Sequence, residues 1–373
     1  MLNIEEVTRL LVNHAIKVGG HDLELICIYG SRTRGDARED SDLDIFYVPA
    51  EGSNPPIART FTLDGLLFDF WAIHWPTLEG FATGYIRGWA FAPGLVHQAK
   101  VIYSNSETAT QRLEGLKQQI ENLQKPEAKP QMIQRALATF SSVQAHLANL
   151  EIVASKGDET DVRYAARKVV GQVWECLALV NQVFFEKGLK KSLGDLGRFK
   201  ERPTTLEESI RTLLTSFNLT QVLNTGRQLA QDTREILRQS QRGIPSNQVA
   251  IDLFRHGYPE LRDMVTKLFS TCEQGDTVGA SIQAHFLQSE LVSLLNQTVA
   301  GATYDDFNAY GEMCTTYREL GFPDLIKLAS GPLVELSRQV QVFDDKLRSY
   351  LQGQSIDLCE FKTLDDLKKD LSQ

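Results

Sequence analysis

Apolar residues near the start of the chain recur at helical spacing. Ile4, Val7, Leu10, Leu11 and Ala15 share one side of a 3.6-residue period, which predicts an amphipathic helix over residues 3–18. Gly19-Gly20 ends it. Short apolar runs bounded by turn residues follow. Residues 23–29 and 42–48 predict buried strands, and 57–63 with 66–73 predict an antiparallel pair about Asp64-Gly65, a favoured two-residue turn. Pro76 opens a helical stretch, and Val101-Ile102-Tyr103 reads as a short edge strand. From about residue 107 helical periodicity takes over, as in 136–152, 162–185 and 221–237. Pro126 and Pro130 mark a linker, and the run from Arg242 to Asn247 punctuates the helical part a second time. The expected fold class is α+β. A small mixed β-sheet domain covers 1–106, a linker 107–130 and a helical domain 131–242; residues 248–373 form a second helical domain or continue the first.

Chemistry concentrates directly after the first strand, where residues 30–44 read Gly-Ser-Arg-Thr-Arg-Gly-Asp-Ala-Arg-Glu-Asp-Ser-Asp-Leu-Asp. A strand running into Gly30-Ser31 at the mouth of a helix can aim backbone N–H groups at an anion. Gly30 has no side chain to hold a triphosphate away, Ser31 adds a hydroxyl donor, and Gly35 permits a tight approach one turn later. Arg32 and Arg34 read either as phosphate contacts or as solvated charges, as does Arg38. Asp42 and Asp44 stand at i and i+2 in a strand and project from one face. Two such carboxylates repel unless a cation lies between them, which fits Mg²⁺ with triphosphate co-ligands. Two ions could clamp the attacking and leaving oxygens of an in-line displacement. Asp69, a lone charge in an apolar strand, is the expected third carboxylate, because a buried acid needs a partner or a metal.

The pattern Gly-Ser-x3-Gly-x5-Ser-Asp-x-Asp, with a strand-borne acid 25 residues later, resembles the DNA-polymerase-β-like nucleotidyltransferase superfamily. The run 30–44 is similar to its small bacterial members, and the helical region that follows resembles the layout of kanamycin and other aminoglycoside nucleotidyltransferases. The resemblance covers under a fifth of the chain. It implies that Asp42 and Asp44 bind metal, that Asp69 is metal ligand or base, and that Ser31 contacts phosphate. It further implies an enzyme that moves a nucleoside monophosphate, from ATP or another NTP with Mg²⁺, onto an acceptor hydroxyl. Kanamycin-type enzymes take a glutamate base from the helical domain. Glu175, on an otherwise apolar helix, is the candidate for that role here.

Composition narrows the partners. At 42% apolar and 23% charged the chain is globular, and no run of about 18 apolar residues could span a bilayer. The N-terminus lacks a basic-then-apolar signal pattern, and five scattered cysteines form no Cys-x-x-Cys pair, which suits a reducing cytoplasm. The net charge of −9 provides no field to draw in a polyanion, so nucleic acid is not the expected partner. A cationic or neutral small acceptor is. Transfer to protein or RNA, and a nucleotide-sensing module, stand as alternatives. The basic run from Lys187 to Arg202 reads as a wall of the nucleotide site or as a solvated loop. His74 and the aromatics Phe68, Phe70, Trp71, Trp75 and Trp89 read mainly as structural.

Overall fold

A computed structural model describes residues 3–38, 41–187, 192–242, 250–300, 310–356, 358 and 363–370. The chain divides into two compact units, 1–240 and 241–373.

In the first unit α1 (Ile4–Gly19) begins where Asn3 accepts a hydrogen bond from the Glu6 amide. It buries Val7, Leu11 and Ala15. There follow β1 (Leu23–Tyr29), the single turn α2 (Ser31–Arg34), β2 (Leu43–Pro49), β3 (Arg59–Leu63) and β4 (Leu66–Ala72). Next come α3 (Trp75–Thr83), α4 (Ala92–Gln98) and β5 (Lys100–Ser104). The sheet runs β3-β4-β2-β1-β5, with β2 and β4 parallel and every other pair antiparallel. The fold is therefore α+β with a small mixed sheet.

Strand alternation sorts the two faces. Leu43, Ile45 and Tyr47 of β2, with Phe68 and Phe70 of β4, join the α1 residues in one core. The even positions of β2 and the odd positions of β4 point the other way. On that second side Cys27 is fully buried, close enough to α5 (Glu107–Leu123) to feel the charges of Lys117 and Glu114. The expected linker thus begins with a helix. Ser106 caps it, and Ala109, Leu113, Leu116 and Ile120 recur at helical spacing on its buried side. Pro126 and Pro130 lie past its end, at a single 3-10 turn and at the first turn of the next helix.

Helices α6 (Lys129–Lys156) and α7 (Glu159–Asn181) form a long hairpin about Gly157, which is left-handed, and Asp158, which caps α7. Helical periodicity carries on to Phe185, yet α7 stops at Asn181. Gln182 turns left-handed (φ 53°), and its side-chain amide donates to the Leu123 and Lys125 carbonyls, which holds the chain out of the helix. Then come α8 (Ser192–Asp195), α9 (Leu206–Thr215) and α10 (Leu219–Arg242).

The second unit is helical, as expected: α11 (Ala250–Glu273), α12 (Thr277–Leu295), α13 (Tyr310–Met313), α14 (Thr315–Glu319), α15 (Leu325–Leu328), α16 (Leu333–Gly353) and α17 (Leu364–Asp370). Its core packs Tyr258, Leu261 and Leu268 of α11 with Leu287 and Leu291 of α12 and Val340, Phe343 and Leu347 of α16. The punctuating run from 243 to 247 lies outside the described residues. Among the described residues no helix is long and apolar enough to cross a membrane.

Candidate functional site

The site is set by the way β1 ends. Gly30 takes φ 82° and ψ −154°, a region open in practice to glycine alone. Its carbonyl then receives the amides of Thr33 and Arg34 and the Thr33 hydroxyl, which winds α2. A Cβ placed on Gly30 would lie 2.5 Å from Asp44 Oδ2, so only glycine lets this turn lie against the Asp44 carboxylate. Gly35, at φ 80°, closes α2 with its amide on the Ser31 carbonyl and has open space around it. The Ser31 hydroxyl is buried and, among the described residues, has no hydrogen-bond partner. A buried, unsatisfied hydroxyl calls for an explanation, and an incoming ligand oxygen is one.

Register then aligns one polar row across four strands. Tyr29 of β1 pairs with Asp44 of β2, Asp44 with Asp69 of β4, and Asp69 with Thr60 of β3. Paired residues share a face, so all four stand on the side away from α1. The Thr60 hydroxyl donates to Asp69 Oδ1 at 2.7 Å, and the Trp71 indole N–H donates to the Tyr29 hydroxyl at 3.1 Å. Burial, reinforced by the negative charge of Asp44, pushes the Tyr29 phenol above its ordinary value and keeps it protonated. Asp69 is half-buried and hydroxyl-bonded rather than sealed in the core.

A cavity of about 720 Å³ opens over this corner. Tyr29, Gly30, Ser31, Arg34, Arg38, Asp42 and Asp44 line it from β1 to β2; Phe91 and Gln98 line it from the α4 region, and Phe185, Glu186 and Lys187 from the segment after α7. Of the residues expected from sequence, Gly30, Ser31, Arg34, Asp42 and Asp44 come together here. Arg32, Gly35 and Asp69 do not line the cavity. The Arg32 guanidinium donates to the carbonyls of Ser41 and Asp42, which fixes the loop that delivers Asp42. Arg34 bonds Gln98 Oε1 at 2.8 Å and pairs with Asp36 at 3.2 Å, joining α2 to α4.

Glu175 is not at this cavity. Its Oε1 accepts from the Trp89 amide at 2.6 Å and its Oε2 from the Ala90 amide at 2.8 Å, so both oxygens brace the turn before α4. Burial raises its pKa, against the pull of those two amides and of Arg135. The helical-side acid that does reach the cavity is Glu186, which pairs with Arg198 at 3.0 Å. Phe91 and Phe185, stacked with centroids 4.9 Å apart, give the same wall an aromatic surface. Of the basic run, Lys187 reaches the wall, while Lys190 and Lys191 lie outside the described residues. Phe68, Phe70, Trp75 and Trp89 are buried in the core, and His74 is exposed where α3 begins.

Among the described residues no three His, Cys, Asp or Glu side chains are grouped to cage a metal. Mg²⁺ does not require such a cage, since it is commonly held by one or two carboxylates together with substrate phosphates and water. Asp42 and Asp44 lining one cavity, beside a Gly30 cradle and an unpartnered Ser31 hydroxyl, fit a metal that arrives with its phosphates.

No family model and no curated protein matches the chain. Among solved structures it is similar to a nucleotidyltransferase-like protein from Exiguobacterium sibiricum 255-15, at 15% identity over 64% of this chain and 75% of that one, with a TM-score of 0.38.

Proposed function

We propose that the cavity beside Gly30 and Asp44 binds a nucleoside triphosphate, with ATP as the first candidate, and that the protein is a nucleotidyltransferase. In the reaction an acceptor hydroxyl oxygen bonds to the α-phosphorus, the bond to the bridging oxygen breaks, and pyrophosphate leaves. The supporting observation is the junction itself. A glycine-only turn lies against a carboxylate, with a buried hydroxyl still seeking a partner, at the mouth of a cavity large enough for a nucleotide. Ser31 and the backbone at the start of α2 would hold phosphate oxygens, with Arg34 and Lys187 adjacent to offset their charge.

Asp42 and Asp44 are the residues that would hold Mg²⁺, which supplies charge neutralisation to the phosphates when bound. Asp69, the register neighbour of Asp44, adds negative charge behind the metal-binding pair. Glu186 is the carboxylate that the segment after α7 brings to the cavity, and in this reading it takes the acceptor proton. Phe91 presents an aromatic face to the base or sugar. Catalysis of this kind is mostly positioning and electrostatics.

The test is pyrophosphate release from each NTP with Mg²⁺ and a panel of hydroxylated acceptors, run alongside Asp44→Asn. Acceptor-dependent release that disappears in the variant is the expected result. Release that persists in Asp44→Asn would remove the site assignment. Tight Mg²⁺–ATP binding with no release from any acceptor would favour a nucleotide sensor.

A further inference from the structure

A second cavity, of about 590 Å³, lies beside the first, and Phe91 lines both. Its charge is unlike that of the chain as a whole. Arg87, Arg135, Arg167 and Lys168 all line it, against one carboxylate, Glu175. That carboxylate is already engaged by the Trp89 and Ala90 amides. Among the described residues none of the four cations has a carboxylate within salt-bridge distance.

Aromatic faces hold the cations in place instead. Arg87 lies 5.3 Å from the Phe81 ring centroid, Arg135 4.7 Å from Tyr85, Arg167 5.5 Å from Trp174 and Lys168 5.3 Å from Tyr164. Arg87 also sits at φ 61°, a conformation side chains rarely adopt, in the turn that Glu175 braces. Four cations around one cavity repel one another, and a bound anion removes that repulsion. A chain with net charge −9 has no general need to gather them here.

We propose that this cavity is the acceptor subsite and that it takes an acceptor carrying a compact oxyanion, a phosphate or a carboxylate group. The assignment rests on the nucleotidyltransferase reading, in which the acceptor must approach the nucleotide from an adjoining space, and here that space meets the nucleotide cavity at Phe91. It replaces the cationic or neutral acceptor expected from net charge, because a ligand feels the local field of its cavity more than the sum over the chain.

The test uses the full chain in calorimetric titrations with glycerol 3-phosphate, citrate, glycerol and tRNA. A fluorescent ATP analogue with Mg²⁺ reports separately on the nucleotide cavity. The variants are Arg87→Gln/Lys168→Gln, whose side chains are exposed and leave folding intact, and Ser31→Ala. The expected result is binding of glycerol 3-phosphate or citrate but not of glycerol, weakened roughly tenfold or more by the double substitution. The stronger of the two anions identifies the group. Ser31→Ala should leave anion binding unchanged, and the double variant should leave analogue binding unchanged.

Anion affinity indifferent to Arg87→Gln/Lys168→Gln, or abolished by Ser31→Ala, overturns the subsite. So does binding of tRNA alone. Failure of the nucleotide reading has a different signature: the ATP analogue does not bind, while the anion titration still depends on Arg87 and Lys168.

Discussion

Two glycines of one turn offer a controlled test of how the site is built. Gly30 and Gly35 have nearly the same φ, 82° and 80°, but different surroundings. Alanine at Gly30 must adopt ψ −154°, a backbone region costing about 1–3 kcal/mol for a residue with a side chain. Its Cβ must also fit 2.5 Å from Asp44 Oδ2, well inside contact distance, and overpacking of this kind costs about 1–3 kcal/mol more. The sum is about 2–6 kcal/mol, a large part of the roughly 5–15 kcal/mol that stabilises a domain. Alanine at Gly35 takes an ordinary left-handed conformation with no atom within 4 Å, so its cost stays near 1–2 kcal/mol. Urea unfolding of Gly30→Ala and Gly35→Ala should therefore show the first variant less stable. Titration with the fluorescent ATP analogue should show affinity lost in the first and retained in the second, since only the first moves Asp44. Equal stability and equal affinity in the two variants would refute the close approach of Gly30 to Asp44 as the organising contact.

Three further outcomes follow from the same geometry. Ser31→Ala removes a hydroxyl with no partner among the described residues, so stability should stay within about 0.5 kcal/mol while nucleotide affinity falls about tenfold; a destabilised protein with unchanged affinity would show the hydroxyl to be structural. Glu186→Gln should lower turnover by roughly 10²–10⁴ with analogue affinity within about twofold of the parent, the split expected of a proton acceptor; a matching loss of affinity would make it a binding residue. Burial pushes the Cys27 thiol from its ordinary 9.0 up to about 12. The folded state then holds the proton more tightly than the unfolded one, so this stabilisation is complete below pH 9 and lost as pH rises towards 12. Urea midpoints measured from pH 8 to pH 11 should fall more steeply for the parent than for Cys27→Ala, and equal slopes would refute the burial argument.

Strand-borne features were legible because alternation is a local rule. The end of β1 at Tyr29, the turn at Asp64-Gly65 and the edge position of β5 all follow from runs of apolar residues and their punctuation. A shared strand face for Asp42 and Asp44 was expected from their spacing, but β2 begins at Leu43, so Asp42 comes to the same cavity from the loop that Arg32 holds. What alternation could not supply was register. Thr60 beside Asp69 follows from the two-residue turn at Asp64-Gly65, but nothing in the sequence places Asp44 beside Asp69, since that pair depends on a parallel pairing of β2 with β4 across a 16-residue gap. Arg32 was misleading for a related reason. Its guanidinium meets carbonyls nine and ten residues on, a partner choice set by the path of the loop. Phe185 was hidden by periodicity that outlasts the helix, and Glu186 with it. The one local sign was the polar pair Asn181-Gln182 in an otherwise apolar run, and both side chains bond to the backbone where α7 ends.

The basic stretch after Phe185 shows why the cavity needs both halves of the first unit. Its charges could be read as contacts to phosphate or as solvated loop, but Arg198 and Arg202 hold the wall itself. The Arg198 guanidinium donates to the Phe184 carbonyl at 3.0 Å and pairs with Glu186, while Arg202 donates to the Leu196 carbonyl. Asp195, buried, accepts the amides of Glu186 and Lys187 through Oδ2 at 2.9 and 3.1 Å. From the sheet side, the Ala90 carbonyl receives the Phe185 amide and the Gln98 side chain donates to the Glu186 carbonyl, both at 2.8 Å. Residues 184–187 are thus pinned from two directions, by α8 and the residues after it and by the turn before α4. The Asp42–Asp44 part of the cavity is built by β2, α2 and the loop that Arg32 holds before β2. The side that carries Phe185 and Glu186 exists only because Gln182 breaks α7 and returns the chain to α4. A fragment ending at residue 106 would keep the carboxylates, Phe91 and Gln98 but lose Phe185, Glu186 and Lys187, so the chemistry proposed here belongs to the first unit as a whole.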